Sequence, residues 1–180
     1  MRRSLLAQRE QFVGSAEFGP AAIALARHLD QVLQALEPDL LGLYWPQRGE
    51  FNAVAVPAVV ASITKGAAAL PFAERDPPRL HYRRWGGATP DGVDGYGIPS
   101  SSGAPSSPDV VLVPCLGHTR DGHRLGYGAG CFDRWLAAHP AVTAVGVAWQ
   151  VGEITPADFD AQGHDLPLAL VVTERGVVEP

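Results

Sequence analysis

A glycine-rich segment holds the residues of this chain that are best suited to chemistry. It reads D-G-H-R-L-G-Y-G-A-G-C-F-D-R over residues 121–134, and Gly126, Gly128 and Gly130 stand at every second position. Alternate glycines let a backbone approach an anion closely, and a helix that follows offers free N–H groups at the positive end of its dipole. The spacing therefore predicts a loop that binds phosphate.

Two charged residues frame these glycines. The guanidinium of Arg124 can bind a phosphate through two hydrogen bonds, and the carboxylate of Asp133 can hold a phosphate-bound Mg²⁺ through oxygen ligation. The alternative is a tight turn in which Asp133 only caps a helix. The segment is neither a Walker A motif, which needs G-K-[ST], nor a Rossmann fingerprint, whose glycine spacing differs. The combination of arginine, spaced glycines and aspartate favours phosphate binding.

The elements around this loop indicate the fold class. The continuous apolar run at residues 110–114 is typical of a central parallel strand, and residues 132–138 are predicted to be helical. Residues 86–108 are rich in Gly, Pro, Ser and Asp and predict a long surface loop. Further helices are predicted at 1–11, 20–33 and 54–69, and further strands at 40–44, 68–73, 80–85, 142–148 and 169–173. Alternating strands and helices predict an α/β fold, with a mostly parallel central sheet covered by helices on both faces, in a single domain over residues 1–180.

Composition excludes several classes of protein. The chain has 180 residues, which suits one domain, and it lacks the run of about 18 apolar residues that a membrane span needs. No apolar segment follows Arg2 and Arg3, so we expect no signal peptide. Two cysteines, Cys115 and Cys131, fit a reduced cytoplasmic protein. The net charge of −5 argues against a nucleic-acid partner, and with Lys65 as the single lysine, phosphate binding must depend on arginines and backbone amides.

The glycine-rich segment also carries a family resemblance. Residues 124–134 resemble the R-L-G-x-G-x-G-Y-Y-D-R signature of the 5-formyltetrahydrofolate cyclo-ligase family, also called methenyltetrahydrofolate synthetase. Four other parts of the chain resemble this family in the same order, and together they cover nearly the whole chain: Y-W-P-Q-R-G-E-F-N at 44–52, D-V-V-L-V-P at 109–114, G-V-A-W-Q at 146–150, and H-D-L-P-L at 164–168 with V-T-E at 172–174.

The resemblance implies an activity. Members of the family use ATP and Mg²⁺ to convert 5-formyltetrahydrofolate into 5,10-methenyltetrahydrofolate through a phosphorylated formyl intermediate. It therefore implies small-molecule partners, ATP and a reduced folate, with Mg²⁺ as the cofactor, while the charge and hydropathy given above argue against nucleic acid and membrane. No protein nucleophile is required, which agrees with a sequence that has no convincing Ser-His-Asp or Cys-His set. The sequence is silent on oligomeric state, and we take a monomer as the expectation.

The same resemblance assigns roles to residues. Asp133 and Asp165 would bind Mg²⁺, and Trp45 and Glu50 would bind the folate together with the loop residues Tyr127, Gly128, Ala129, Gly130 and Cys131. The ATP site would comprise Arg2, Arg124, Leu125, Gly126, Tyr127, Gly128, Ala129, Gly130, Cys131 and Phe132. For three of these residues a purely structural role stays open: Trp45 as a core residue, Asp165 as a turn residue before Pro167, and Arg2 as a solvated side chain at a frayed terminus.

Several positions depart from the family pattern, mostly in the folate half. Cys131 and Phe132 stand where the family has two tyrosines, and Ser100 stands where it has a glutamate. Asn52 and Ala53 replace an Asp-Thr pair, Ala129 replaces a basic residue that some members carry, and no lysine precedes Arg2. These departures leave two alternatives. One is a divergent paralogue, non-catalytic or with an altered substrate, that binds nucleotide or a folate-like ligand, and the other is an α/β domain whose anion-binding loop has another purpose.

Overall fold

The computed structural model describes residues 1–159 and 166–180. Within these ranges the chain forms four α-helices: α1 (Arg2–Val13), α2 (Phe18–Leu36), α3 (Pro57–Thr64) and α4 (Cys131–Ala138). The strands in the same ranges are β1 (Leu41–Gly42), β2 (Ala68–Arg75), β3 (Pro78–Arg84), β4 (Gly92–Val93), β5 (Pro99–Ser100), β6 (Pro105–Ser106), β7 (Val110–Pro114), β8 (Gly117–His118), β9 (Arg124–Leu125), β10 (Thr143–Val147), β11 (Leu170–Thr173) and β12 (Gly176–Val178).

Eight of these strands form the central sheet, in the order β12-β11-β10-β7-β1-β2-β3-β6. The pairs β1·β2, β1·β7, β7·β10 and β10·β11 are parallel, whereas β12 at one edge and β3 and β6 at the other are antiparallel. The mostly parallel sheet predicted from the sequence is confirmed. The antiparallel edges were not predicted, and β12 lies beyond the last predicted strand.

The centre of the sheet depends on small and branched residues. Val111 and Leu112 of β7 are fully buried, as the continuous apolar run predicts. Gly42 of β1 sits where a Cβ atom would lie 2.8 Å from both Tyr82 Cε1 and Val111 Cγ1. Only glycine lets these neighbours pack this closely, so Gly42 allows the side chains of Tyr82 and Val111 to pack against β1.

Helices cover both faces of the sheet, as predicted. On one face, Leu25, Leu29 and Leu33 of α2 repeat every four residues and are buried in the larger hydrophobic core. On the other face, Trp135 of α4 packs its ring edge-on against Tyr82 of β3, with 5.0 Å between ring centroids. No helix in residues 1–159 or 166–180 has the length and apolar character needed to span a bilayer.

Two predicted segments differ from the structure. The helix predicted over 54–69 is a one-turn 3-10 helix (Ala53–Ala55) followed by the shorter α3. Pro57 opens α3 because its fixed φ suits a first helical turn, and because it disfavours a helical conformation at the preceding residue. The long loop predicted over 86–108 contains the short strands β4, β5 and β6. A hairpin of β8 and β9 was also not predicted.

Candidate active site

A cavity of about 520 Å³ opens at the edge of the sheet where β1 and β7 end. The chain continues from β1 to β2 on one side of the sheet and from β7 to β10 on the other, so these two neighbours form a topological switch point. Ligands of open α/β sheets bind in the crevice that such a switch creates. Trp45, which follows β1, and Pro114 at the end of β7 both line the cavity.

The glycine loop forms one wall of this cavity. It runs from β9 to the start of α4, and all its residues from Arg124 to Asp133 line the cavity. Gly128 and Gly130 have φ angles of +98° and +61°, which favour glycine over other residues. The predicted order of strand, glycine loop and helix is confirmed, but the strand next to the loop is the short β9 rather than the central β7.

Arg124 and Asp133 form an ion pair between Nη2 and Oδ1 across the base of the loop. The Arg124 side chain is 5% exposed and also donates from Nη1 to the backbone oxygen of Leu166 at 3.0 Å. The residue at the N-cap of α4 is Gly130, and no side chain caps this helix. Asp133 is therefore an ion-pair partner in the first turn of α4 rather than a helix cap.

Arg2 lies against the same loop. Its Nε donates to the backbone oxygen of Gly126 at 2.9 Å, and its guanidinium is 3.8 Å from the position that a Cβ atom of Gly128 would take. The side chain is exposed and lines the cavity. The start of α1 thus contributes to the glycine-loop side of the cavity.

Glu50 and Trp45 line the cavity together with the glycine loop. The Glu50 side chain is 5% exposed, and its Oε2 accepts from the backbone nitrogen of Gln47 at 2.8 Å. Burial raises the pKa of Glu50, while the Gln47 amide, Arg9 and the Tyr127 hydroxyl act in the opposite direction. Trp45 also packs edge-on against Trp85 at 6.2 Å, so it is both a core residue and a lining residue.

Arg9 is a residue of this site that the sequence analysis did not single out. It is 2% exposed and lies in the interior between α1 and the end of β7. Its Nη1 donates to the hydroxyl of Tyr127 at 2.8 Å and lies 3.9 Å from Glu50 Oε1, and its Nη2 donates to the backbone oxygen of Cys115 at 2.6 Å. The available signal was its position four residues after Leu5, on the buried face of α1.

Tyr96 is the second residue missed. It lies in the turn between β4 and β5, which Asp94 holds by accepting from the backbone nitrogens of Tyr96 at 2.8 Å and Ile98 at 2.9 Å. Its hydroxyl is 3.8 Å from Cys131 Sγ, and both residues line the cavity. An aromatic ring therefore stands beside the position where the family tyrosine is replaced by Cys131.

Two of the departures from the family pattern have local structural roles outside the cavity. Ser100 is 1% exposed and donates from its hydroxyl to the backbone oxygen of Pro71 at 2.7 Å. The side chain of Asn52 accepts from the backbone nitrogen of Val54 at 3.2 Å and caps the 3-10 helix. Neither residue lines the cavity.

The predicted metal ligands are only partly covered by the structure. Asp165 lies outside the described residues, so its predicted position beside Asp133 stays a prediction. In the part of the chain that is described, no three or more His, Cys, Asp or Glu side chains cluster in a way that could hold a metal ion. Asp133 is the carboxylate that the glycine loop presents to the cavity.

Comparisons with known proteins agree with the resemblance. No protein-family model matches the chain. A curated relative, the 5-formyltetrahydrofolate cyclo-ligase of Mycolicibacterium smegmatis, is 42% identical over 71 residues, which cover 39% of this chain. This match spans 36% of the relative, so the chain aligns with about a third of that protein's length.

Two solved structures match the chain over nearly its whole length. The 5,10-methenyltetrahydrofolate synthetase from Mycoplasma pneumoniae has a TM-score of 0.75 at 19% identity over 96% of both chains, a likeness that shows the fold. The 5,10-methenyltetrahydrofolate synthetase of Aquifex aeolicus has a TM-score of 0.73 at 26% identity, over 99% of this chain and 90% of that one. With the aligned segment and the signature of the glycine loop, these matches show that the chain is similar to 5-formyltetrahydrofolate cyclo-ligases and has the fold of the solved methenyltetrahydrofolate synthetases.

Proposed function

We propose that this chain converts 5-formyltetrahydrofolate to 5,10-methenyltetrahydrofolate at the expense of ATP, with Mg²⁺ as the cofactor. The observation that carries the proposal is that the glycine loop and the buried carboxylate of Glu50 line one cavity. The loop offers backbone N–H groups to an anion, and Glu50 offers a hydrogen-bond acceptor to a heterocycle. Such a cavity suits a reaction between a nucleotide and a pterin.

The glycine loop is the proposed site of the ATP phosphates. Gly126 has no atoms within 4 Å of the position of a Cβ, so a phosphate can approach its backbone closely. Arg2 supplies a positive charge that already lies against the loop. Arg124 is buried in its pair with Asp133, so we assign it to holding the loop in shape as well as to the phosphate site.

The proposed Mg²⁺ site fits the chemistry of Asp133. Mg²⁺ in nucleotide sites is held by one or two carboxylates, by phosphate oxygens and by water, so a cluster of three protein ligands is not required. Asp133 shares one oxygen with Arg124 and lines the cavity beside the loop, and Asp165 is proposed as its partner. When bound, the ion would neutralise the negative charge on the transferring phosphoryl group.

The part of the cavity around Glu50 is the proposed folate site. The Glu50 carboxylate can accept hydrogen bonds from N–H groups of the pterin, and its burial strengthens such bonds by excluding water. Trp45, Tyr96 and Tyr127 bring aromatic rings to the same cavity. Rings of this kind stack on heterocycles and on the aminobenzoate group of a folate.

The reaction needs positioning more than it needs protein nucleophiles. The formyl oxygen attacks the γ-phosphorus of ATP, and the bond to the oxygen of the leaving ADP breaks. The second folate nitrogen then attacks the formyl carbon, loses its proton and releases phosphate, which closes the ring. The protein aligns the two substrates and supplies donors to the developing charge, and a cavity lined by both the glycine loop and Glu50 suits that task.

We also propose a reducing cytoplasmic location and a monomeric enzyme. Cys115 and Cys131 are both free thiols, which is typical of proteins kept in a reducing compartment. Light scattering of the purified protein tests the monomer directly.

The test is an absorbance assay for methenyltetrahydrofolate, with ATP, Mg²⁺ and 5-formyltetrahydrofolate. We expect turnover that requires all three and that the Glu50→Gln variant reduces strongly. Val60→Thr is the matched control, because Val60 is exposed on α3 and does not line the cavity.

The second candidate is a paralogue that binds the ligands without turnover, and Cys131 in place of the family tyrosine favours it. Calorimetry with ATP and with the folate separates the two candidates. If both ligands bind and no product forms, the paralogue becomes the better proposal. If neither ligand binds, both proposals are wrong.

A further inference from the structure

Arg9 joins three segments beside the cavity that are far apart in the sequence. It lies on α1, and its hydrogen bonds reach Tyr127 in the glycine loop, 118 residues away, and the backbone of Cys115 after β7, 106 residues away. Its Nη1 also lies 3.9 Å from Glu50 Oε1. A planar guanidinium presents its donors in a rigid fork, so these partners are held in a fixed relative position.

Burial strengthens the contacts of Arg9, because water is largely excluded from them. Arg9 is 2% exposed, and the side chain of Glu50 is 5% exposed. A buried guanidinium is retained only where its donors and its charge are matched, and here two acceptors and one carboxylate match it. Tyr127 is 44% exposed, so its hydroxyl is fixed on Arg9 while the rest of the residue faces the cavity.

We propose that Arg9 is a positioning residue of the folate half of the site: it fixes the Glu50 carboxylate and the Tyr127 hydroxyl in one arrangement, so that the folate wall and the glycine loop are set together. The proposal rests on the proposed function in assigning Glu50 and Tyr127 to the folate. Arg9 acts through these two residues and does not itself line the cavity.

The charges around Glu50 make this role measurable. The groups that face it are Arg9 from α1, Tyr44 after β1, Cys115 after β7 and Tyr127 from the glycine loop. Burial raises the pKa of Tyr44 well above its usual range, and it raises the pKa values of Cys115 and Tyr127 to about 12. These three groups are therefore neutral where Glu50 titrates. Arg9 supplies the positive charge that favours the carboxylate, and the neutral Tyr127 hydroxyl favours it through a hydrogen bond.

The first test measures Glu50 without any ligand. The protein is labelled with ¹³C at its glutamate carboxyl groups and titrated by NMR, and Glu50→Gln identifies the resonance. We expect Arg9→Met to move the Glu50 pKa upward, because it removes the favourable charge and leaves the burial. Arg9→Lys keeps the charge and should restore most of the original pKa. Arg27→Met, at an exposed position of α2, is the matched control and should leave it unchanged.

The second test is kinetic and separates a positioning role from a general loss of structure. We expect Arg9→Met to raise the KM for 5-formyltetrahydrofolate by about ten-fold or more, as loss of a hydrogen bond to a charged group would do, and to change the KM for ATP much less. The rise in the folate KM should be larger at acidic pH than at alkaline pH. The reason is that Glu50 of the variant has a higher pKa than Glu50 of the wild type, so it becomes protonated sooner as the pH falls. Tyr127→Phe removes one contact of Arg9 and should raise the KM for 5-formyltetrahydrofolate by a smaller factor.

The outcomes are distinct. An unchanged Glu50 pKa in Arg9→Met, or equal changes in the two KM values, would overturn the positioning role. If Arg9→Met does not fold by circular dichroism, Arg9→Lys and Tyr127→Phe decide: a selective rise in the folate KM supports the role, and equal changes in both KM values oppose it. If the wild-type protein has no turnover, the proposed function fails, while the NMR titration still tests the coupling of Arg9 and Glu50.

Discussion

The Nε of Arg2 donates a hydrogen bond of 2.9 Å to the backbone oxygen of Gly126, across 124 residues of sequence. The start of α1 is thereby fixed on the loop that opens α4. This contact uses a backbone oxygen of the loop and leaves the neighbouring N–H groups available to an anion. It also places a positive charge where the phosphates of a nucleotide are proposed to lie.

Gly126→Ala tests whether a ligand approaches the loop backbone. A Cβ at this position would meet no atom within 4 Å, and its φ lies outside the left-handed region, so we expect the free energy of unfolding to change little. The added methyl would instead occupy the space that a phosphate needs, and the Kd for ATP should rise by about ten-fold or more. Calorimetry measures the Kd and urea titration the stability.

Gly86→Ala is the matched control for that substitution. Gly86 also has open space around the position of a Cβ and does not line the cavity. We expect ATP binding to be unchanged in this variant. Equal ATP affinity for Gly126→Ala and the wild type would mean that the phosphates lie elsewhere.

Asp133→Asn tests the ion pair and the proposed metal site together. The variant leaves the charge of the buried Arg124 unmatched, so we expect the free energy of unfolding to fall by about 1–3 kcal/mol. It also removes the carboxylate proposed to hold Mg²⁺, so added Mg²⁺ should no longer strengthen ATP binding. Urea titration and calorimetry with and without Mg²⁺ measure the two effects.

Glu10→Gln provides the comparison for the stability effect. Glu10 pairs with Arg48 at 3.8 Å, but both side chains are more than half exposed. Such surface pairs contribute about 0–1 kcal/mol, so the loss should be clearly smaller than for Asp133→Asn. A response to Mg²⁺ that survives in Asp133→Asn would contradict the assignment of Asp133 as a ligand.

Tyr96→Leu tests whether this ring takes the place of the family tyrosine. Stacking and one hydrogen bond are together worth about 1.5–2.5 kcal/mol, so we expect the folate Kd to rise by about ten-fold or more. Because Cys131 Sγ lies 3.8 Å from the Tyr96 hydroxyl, a ring introduced by Cys131→Tyr should restore binding in the Tyr96→Leu background. Cys131→Ser in that background should not. A folate Kd within about two-fold of wild type in Tyr96→Leu would remove this residue from the site.

His118 makes the stability of the fold depend on pH. It is 1% exposed, and within the described residues neither ring nitrogen has a hydrogen-bond partner. Burial lowers its pKa below the usual 6.5, and Glu153 opposes this only in part. The unfolded chain therefore binds a proton below about pH 6.5 that the folded chain does not, so stability is complete above that pH and falls as the pH drops below it.

Because of His118, we expect the free energy of unfolding to be about 1 kcal/mol lower at about pH 5.5 than at about pH 7.5. His118→Phe should reduce that pH dependence, as measured by urea titration at both values. His81→Gln is the control. Burial and Arg83 lower the pKa of His81 too, but its side chain is 34% exposed, whereas His118 is buried. The same pH dependence in His118→Phe and wild type would show that His118 is not the group responsible.

Local physics in the sequence was enough for much of the fold. The leucine repeat of α2 and the apolar run of β7 identify a helix and a central strand because each pattern follows from the geometry of one element. The spacing of Gly126, Gly128 and Gly130 likewise identified the loop, since the need for a close backbone approach is a property of a few consecutive residues.

Only the tertiary structure brought Arg9, Glu50 and Tyr127 together. Each looks ordinary in its own segment: Arg9 is one arginine of a short helix, and the contact that gives it meaning spans 118 residues. The antiparallel edge strands and the position of Tyr96 could not be predicted for the same reason. They depend on which distant segments pair or face each other in the folded chain. The glycine loop could be located from a few consecutive residues because its backbone geometry is local. The surroundings of Glu50 depend on long-range packing, which brings together charges and donors that no single segment contains.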